Sequence, residues 1–319
     1  MIVYKMPKKV AVFGLGKIGI DYDLDPNYNW IPNQVKSHVK AVRDSIDFEL
    51  TYIADIDISK LNRVKEVTGD AECGSLEDIL KLQAPDLAII SVPTTEHLKV
   101  FNLIKSAWPE VDYLIEKPMG NSHLEAMKIL ESAVASKQKI FVNYFRRYLN
   151  NFQSLVQSYS FAKRGDLLDV YICASGTMKN TFSHFIDLII FLEGQYIINT
   201  NNSFKVINKS SQKIILDRNR NCRFIFENTI TSNSDFYMSM SYDNCKIVIS
   251  KNGRVIDLMN TRGVSIEHFE ISLEEFNNYQ KIVLSRVYES LKLPADYEPI
   301  KDAVCIQKFI ELVDLIDAQ

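Results

Sequence analysis

A chain of 319 residues with 46% apolar residues is long enough for two domains with sizeable buried cores, which excludes a disordered or fibrous protein. Lys plus Arg total 37 against 40 Asp plus Glu, a net charge of −3, so no basic surplus is available to neutralise a phosphate backbone and nucleic acid is not an expected partner. The five cysteines, Cys73, Cys173, Cys222, Cys245 and Cys305, form no CxxC pair, which argues against a zinc site and a disulfide framework and for a reducing cytosol.

The first half alternates short β-branched runs with helical patterns, the grammar of a parallel sheet with crossover helices. Strands are predicted at 9–13, 48–54, 87–92, 113–115 and 140–144. Ser75 and Ser122 each open a helix-start pattern, the second being the capping box Ser-His-Leu-Glu. After it, Ala126, Met127, Leu130, Ala133 and Val134 form the apolar stripe of a helix lying on a sheet. From about Leu167 period-two strands follow one another: Cys222, Phe224 and Phe226 alternate with Arg223, Ile225 and Glu227, and Phe236, Met238, Met240 and Tyr242 share a face. Asn252-Gly253 signals a tight hairpin. One helix is expected near 180–192, and two amphipathic helices close the chain, the last with Ile306, Phe309, Ile310, Val313 and Ile316 on one face. The apolar runs 87–92 and 185–192 are too short or too polar to cross a bilayer. The opening residues carry no signal-peptide pattern, so a cytoplasmic protein without a membrane partner is expected. The expected fold is α/β: a dinucleotide-binding parallel domain at 1–146, then an α+β domain at 147–319 with a mainly antiparallel sheet and a cleft between the two.

Directly after the first strand, Gly14-Leu15-Gly16-Lys17-Ile18-Gly19 writes G-x-G-x-x-G. Gly14 permits the tight turn, Gly16 lets the backbone approach a pyrophosphate, and Gly19 lets the helix lie close to the strand. The second strand ends at Asp55, whose carboxylate can bind ribose hydroxyls and repel a 2′-phosphate, which favours NAD over NADP. Gly14 and Asp55 are 41 residues apart, against the roughly twenty expected; an insertion at 21–34 supplies the excess. Its Pro26 and Pro32 interrupt a helix, which resumes around Ser37-His38-Val39. Asp21, Asp23 and Asp25 alternate as in a calcium loop, but Pro26 and Pro32 stand where glycine and glutamate are required, so a solvated loop or a lid over the cofactor is expected instead of a metal site.

Two further motifs follow strands: Ser91-Val92-Pro93-Thr94-Thr95-Glu96-His97 and Leu114-Ile115-Glu116-Lys117-Pro118. With the glycine loop, with Asn143-Tyr144-Phe145-Arg146-Arg147-Tyr148 and with Asn180-Thr181-Phe182-Ser183-His184-Phe185-Ile186-Asp187, the chain resembles the glucose-fructose oxidoreductase and inositol dehydrogenase family, Gfo/Idh/MocA. The resemblance implies a Rossmann domain, an open-faced sheet domain that often mediates association, and a cis peptide before Pro118. It gives acid–base work to Lys117 and His184 and to an aspartate where this chain has Asn180, which cannot ionise.

The residues support those roles on their own terms. Lys117 at a strand's C-terminal end faces the ligand crevice of an open α/β sheet, and burial or nearby positive charge lowers a lysine toward the working range. Pro93, Thr94, His97 and Glu116, with Ser91, are expected on the nicotinamide side, a capping or packing role standing beside this for His97. Arg147 either binds an anionic substrate group or holds the domain junction; Tyr144 is a substrate contact or a core aromatic; Phe182 narrows the pocket or packs in the core. The expected activity is hydride transfer between NAD and a carbinol or ketone of a sugar, cyclitol or nucleotide sugar, in a homodimer or homotetramer joined through the C-terminal sheet. A cofactor-binding regulator without turnover, kept open by Asn180, and an oxidoreductase of a non-sugar ring are the alternatives.

Overall fold

The computed structural model describes residues 6–198, 204–210, 213–218, 222–228 and 236–317. The chain divides into two compact units, the first comprising residues 1–145 and 277–304 and the second residues 146–276 and 305–319.

The first unit is built on a six-stranded parallel sheet of β1 (Lys8–Phe13), β2 (Phe48–Ala54), β3 (Glu72–Gly74), β4 (Leu87–Ile90), β5 (Asp112–Ile115) and β6 (Ile140–Val142). Their order is β3-β2-β1-β4-β5-β6, the doubly wound Rossmann arrangement, which places a crevice at the C-terminal ends of β1 and β4 where the strand order reverses. β1 and β4 are near-continuous apolar runs because both faces of this sheet are covered: Val10, Ala11, Val12, Leu87, Ala88, Ile89 and Ile90 are fully buried. The three-residue β3 gives too short a pattern to read from sequence.

Helices α1 (His38–Arg43), α2 (Ile58–Thr68), α3 (Leu76–Ile79), α4 (His97–Ala107) and α5 (His123–Ser136) follow their strands. The caps are those of the motif: Ser75 Oγ accepts from Asp78 N at 3.2 Å, and Ser122 Oγ accepts from Glu125 N at 3.2 Å. The α5 stripe differs from expectation. Ala126, Ile129 and Ala133 are buried whereas Val134 is 47% exposed, because the face against the sheet runs i, i+3, i+7 through Ile129 and turns Val134 outward.

The insertion is solvated along much of its length, as expected, with Pro26, Asn27, Asn29, Pro32 and Asn33 exposed, but it is pinned by one buried side chain. Asp23 is fully buried, and its Oδ2 accepts from Lys36 N at 2.8 Å, Ser37 N at 2.7 Å and Ser37 Oγ at 2.7 Å. Asp25 accepts from Asn27 N and Asn29 N, both at 2.8 Å, closing an Asx-type turn. Trp30 Nε1 donates to Val67 O of α2 at 3.1 Å, with the Arg43 guanidinium 4.4 Å from its ring. Among the described residues no cluster of three potential metal-ligating side chains occurs.

Residues 277–304 complete this first unit. Within α9 (Tyr279–Leu291), which follows α6 (Asn150–Gln157), α7 (Ser183–Glu193) and α8 (Leu273–Asn277), Tyr279 donates to Lys36 O at 3.0 Å and lies 4.4 Å from the Phe145 ring, while Tyr288 meets Phe48 edge-on at 5.4 Å. The last helix, α10 (Glu298–Asp317), passes from the first unit to the second.

The second unit carries an eight-stranded mixed sheet of β7 (Leu167–Ala174), β8 (Phe204–Ser210), β9 (Lys213–Arg218), β10 (Cys222–Asn228), β11 (Tyr237–Tyr242), β12 (Cys245–Ser250), β13 (Val255–Asn260) and β14 (Ser265–Glu270), in the order β14-β13-β12-β11-β7-β10-β9-β8. Every pairing is antiparallel except β7 with β10. Phe236, Met238, Met240 and Tyr242 share the buried face as their spacing predicts, so both methionines are packing residues. Asn252 at φ +60° and Gly253 at φ +93° turn the hairpin between β12 and β13. Phe309 of α10 meets Phe224 at 6.3 Å and Phe226 at 6.2 Å; Ile306, Phe309, Ile310 and Val313 are fully buried, whereas the side chain of Ile316 lies outside the described residues. Among the described residues no helix is long and apolar enough to cross a membrane.

Candidate functional site

The crevice at the ends of β1 and β4 opens into a cleft of about 830 Å³. Its floor is the glycine turn. Gly14 has φ +99°, and a Cβ there would lie 2.7 Å from the carbonyl of Ser91 and the nitrogen of Val92; a side chain would meet both strain and backbone. Ser91 closes the crossing by donating its hydroxyl to Gly14 O at 2.8 Å and Phe13 O at 3.1 Å. A Cβ on Gly16 would meet nothing within 4 Å, leaving the backbone bare toward the cleft, whereas one on Gly19 would lie 2.1 Å from Gly14 O. The three glycines therefore serve the turn, the open approach and the close packing that their spacing predicts.

Asp55 follows β2 at the edge of the same cleft. Its Oδ2 accepts from Leu15 N at 2.5 Å and its Oδ1 from Asp57 N at 2.9 Å, which orients the carboxylate and leaves lone pairs for a diol. Asp57 caps α2, accepting from Lys60 N at 3.1 Å and Ser59 Oγ at 2.7 Å; these hydrogen bonds, the hydroxyl's first, hold its carboxyl below the usual range. A cleft with a glycine floor and a fixed acid at the second strand fits a dinucleotide. Gly14, Gly16, Asp55, Ser91 and Pro93 of the expected cofactor residues line it, joined by Thr95 of the Ser91–His97 motif and by Lys60 and Lys99, which no motif marks. Lys17, Ile18, Gly19, Thr94, His97, Glu116 and Lys117 are not among its lining residues.

Two of those act from behind. His97 is 1% exposed. Its Nε2 lies 2.9 Å from Val92 O and its Nδ1 3.3 Å from Met119 O, tying the β4 loop to the segment after Pro118. Burial holds its pKa below the ordinary value, although the carbonyls and Glu116 pull the other way. Glu116 accepts from His38 Nε2 at 2.8 Å and from Asn143 Nδ2 at 2.5 Å through Oε1, and from Lys117 N at 3.2 Å through Oε2. Burial alone pushes this carboxyl up, but His38, Asn143 and the Lys117 charge together outweigh it and hold it below its usual range. His38 carries no partnering pattern in the sequence; only the docking of α1 brings it to β5.

Lys117 directly follows Glu116 beyond the C-terminal end of β5, half-buried, with a cis peptide to Pro118. In the second unit, Asn180 is exposed within a π-helical turn, Met178–Phe182, that leads into α7, where His184 is half-buried. Phe182 is 3% exposed and packs against Phe226 at 5.8 Å and Phe185 at 6.3 Å, the core-packing alternative of the two. Tyr144 is likewise buried. Arg147 forms a bidentate pair with Asp187: Nε lies 3.1 Å from Oδ2 and a terminal nitrogen donates to Oδ1. That pair occupies the guanidinium offered from sequence to an anionic substrate group.

Residues 8–144 match the family GFO_IDH_MocA, described as an oxidoreductase family with an NAD-binding Rossmann fold. No curated protein matches the sequence. Solved structures share the whole fold at low identity. The 3-ketoreductase KijD10 from Actinomadura kijaniata, in complex with NADP, is 11% identical with a TM-score of 0.73, covering 97% of both chains. An NAD binding oxidoreductase from Klebsiella pneumoniae is 10% identical with a TM-score of 0.74, covering 98% of both. An oxidoreductase from Agrobacterium radiobacter in complex with NAD+, L-tartaric acid and magnesium is 13% identical with a TM-score of 0.72, covering 96% of this chain and 95% of that one.

Proposed function

Because residues 8–144 match the NAD-binding Rossmann fold of the Gfo/Idh/MocA oxidoreductase family, we propose that this protein is an NAD-dependent oxidoreductase acting on a carbinol or ketone of a polyhydroxylated small molecule: a sugar, a cyclitol or a nucleotide sugar. The observation that carries the reading is the Glu116 clamp. A buried carboxylate fixed by His38 and Asn143 positions the backbone of Lys117 at the C-terminal edge of the sheet whose glycine turn forms the cleft floor.

In this reading the backbone at Gly14 to Gly16 receives the pyrophosphate and Asp55 the adenosine ribose, and its carboxylate disfavours a 2′-phosphate. The nicotinamide, when bound, supplies or takes up the hydride. Lys117 handles the proton: its ammonium donates to the carbonyl oxygen in reduction, and its neutral amine accepts from the hydroxyl in oxidation. His184 assists that transfer or orients the reacting hydroxyl, and Asn180, which accepts and donates hydrogen bonds but cannot ionise, holds a neighbouring hydroxyl. His97 and Ser91 keep the loops rigid, which is the positioning that hydride transfer requires.

We place subunit association on the half-exposed face of the second sheet, where Tyr171 and Tyr237 lie 6.0 Å apart, and the protein in the cytosol, which suits five cysteines without a CxxC pair. A mass in solution equal to one chain would refute the first placement.

The test is a single-turnover assay. Protein is loaded with NAD or NADH, mixed with a panel of free sugars, cyclitols and nucleotide sugars, and followed by nicotinamide absorbance. The expected result is a change with one class, abolished in Lys117→Ala while dinucleotide binding is kept. Full turnover in Lys117→Ala refutes the assignment of the proton to that residue. Asn180 favours one competing reading, a dinucleotide-dependent regulator, which any authentic turnover by the unaltered protein eliminates.

A further inference from the structure

The insertion 21–34 does more than lengthen the first crossover. It walls a second cleft of about 510 Å³ together with the first turns of α2, and Asp57 and Lys60 line both this cleft and the larger one. Two cations of α2 are held by the loop. Lys60 Nζ lies 2.6 Å from Asp21 Oδ2, the side chains being 17% and 40% exposed. Arg63 donates to Tyr28 Oη at 3.2 Å and stacks 5.7 Å from that ring.

These contacts sit where a Rossmann sheet reads the 2′ position of the adenosine ribose, just beyond the second strand. A 2′-phosphate needs a cation there, and a free 2′-hydroxyl needs an acceptor. Lys60 is the cation placed to serve the phosphate, and Asp21 neutralises it, while Asp55 and Asp57 add two further carboxylates at the same edge. Like charge repels a dianionic group, and a lysine already bonded to a carboxylate must break that pair to reach a phosphate.

We propose that the insertion is a cofactor-selectivity element: Asp21 withholds Lys60 from the ribose and so disfavours the 2′-phosphorylated dinucleotide. This rests on the dinucleotide reading of the larger cleft. It goes beyond that reading by assigning the choice between the two dinucleotides to a loop outside the fingerprint, with Asp55 as a partner and not the sole determinant.

Equilibrium binding of NADH and NADPH, without substrate and read by nicotinamide fluorescence and by calorimetry, tests it. The unaltered protein should bind NADH more tightly. Asp21→Asn should tighten NADPH about three- to fivefold, the size of one partly exposed ion pair, with NADH binding changed less than about twofold, which also shows that the variant is folded. Adding Lys60→Ala to Asp21→Asn should remove the gain. An unchanged NADPH to NADH ratio in Asp21→Asn, or a gain that survives Lys60→Ala, overturns the role of the loop while leaving the dinucleotide cleft standing. Absence of binding to either dinucleotide by the unaltered protein overturns both.

Discussion

Replacing Arg147 by alanine separates two roles that predict opposite measurements. In the structure its guanidinium is bonded twice to Asp187, and the two side chains are 9% and 1% exposed. Truncation leaves the Asp187 carboxylate buried without its cation. Removing one partner of a buried pair costs about 3–5 kcal/mol, most of it the desolvation of the charge left behind; an exposed pair of the same geometry is worth about 0–1 kcal/mol. The near-complete burial of Asp187 puts this pair in the first class. For a unit of this size each kcal/mol moves the melting temperature by about 2–4 °C, so Arg147→Ala should melt roughly 10 °C lower. Urea unfolding of Arg147→Ala, Asp187→Ala and the double variant is the assay. A coupling energy above about 1.5 kcal/mol is expected, with the double variant more stable than the sum of the singles requires. NADH binding, which the proposed function assigns to the first unit, should be unchanged under native conditions. A variant that keeps the parental stability to within about 1 kcal/mol and instead raises KM for an anionic substrate would refute the reasoning and make Arg147 a substrate contact.

Gly14→Ala should abolish tight NADH binding and lower stability by about 1–3 kcal/mol, since it combines a positive φ with a Cβ pressed onto Ser91; Gly16→Ala, with open space around it, should weaken binding while sparing stability. Titration calorimetry and urea unfolding of both check this. The folded-state pKa of His97 is below its ordinary 6.5, so the unfolded chain binds the proton more readily. Its contribution to stability is fully present above about pH 6.5 and is lost as pH falls toward the depressed folded value. Unfolding free energies at pH 7.5 and 5.5 should therefore differ less in His97→Gln than in the parent, and an equal difference would exclude His97 as the titrating group.

Much of the first unit was legible because its signals are local. A glycine turn after a β-branched run, serine caps three residues ahead of their partners, and apolar strands buried on both faces are all properties of short segments, and β1, β2 and β4 fall where those patterns put them. The motif residues Gly14, Asp55 and Ser91 come together because a parallel sheet necessarily brings its C-terminal strand ends to one edge. The shared face of Met238 and Met240 was equally readable, since period two is fixed by the strand backbone itself.

Contacts between distant segments were not legible. That His38 would hold Glu116, 78 residues away, depends on the angle at which α1 docks, and neither residue type nor spacing encodes that angle. The same holds for the pairing of Arg147 with Asp187, for the tethering of the insertion through the buried Asp23, and for the return of residues 277–304 to the first unit. Sequence alone determined the fold class and the glycine turn that follows the first strand, because helix and strand periods and turn chemistry act over a few residues. Tertiary structure decided which charges are buried in pairs and which remain available to a ligand, because desolvation and ion pairing depend on what packs against a group once the chain has closed on itself.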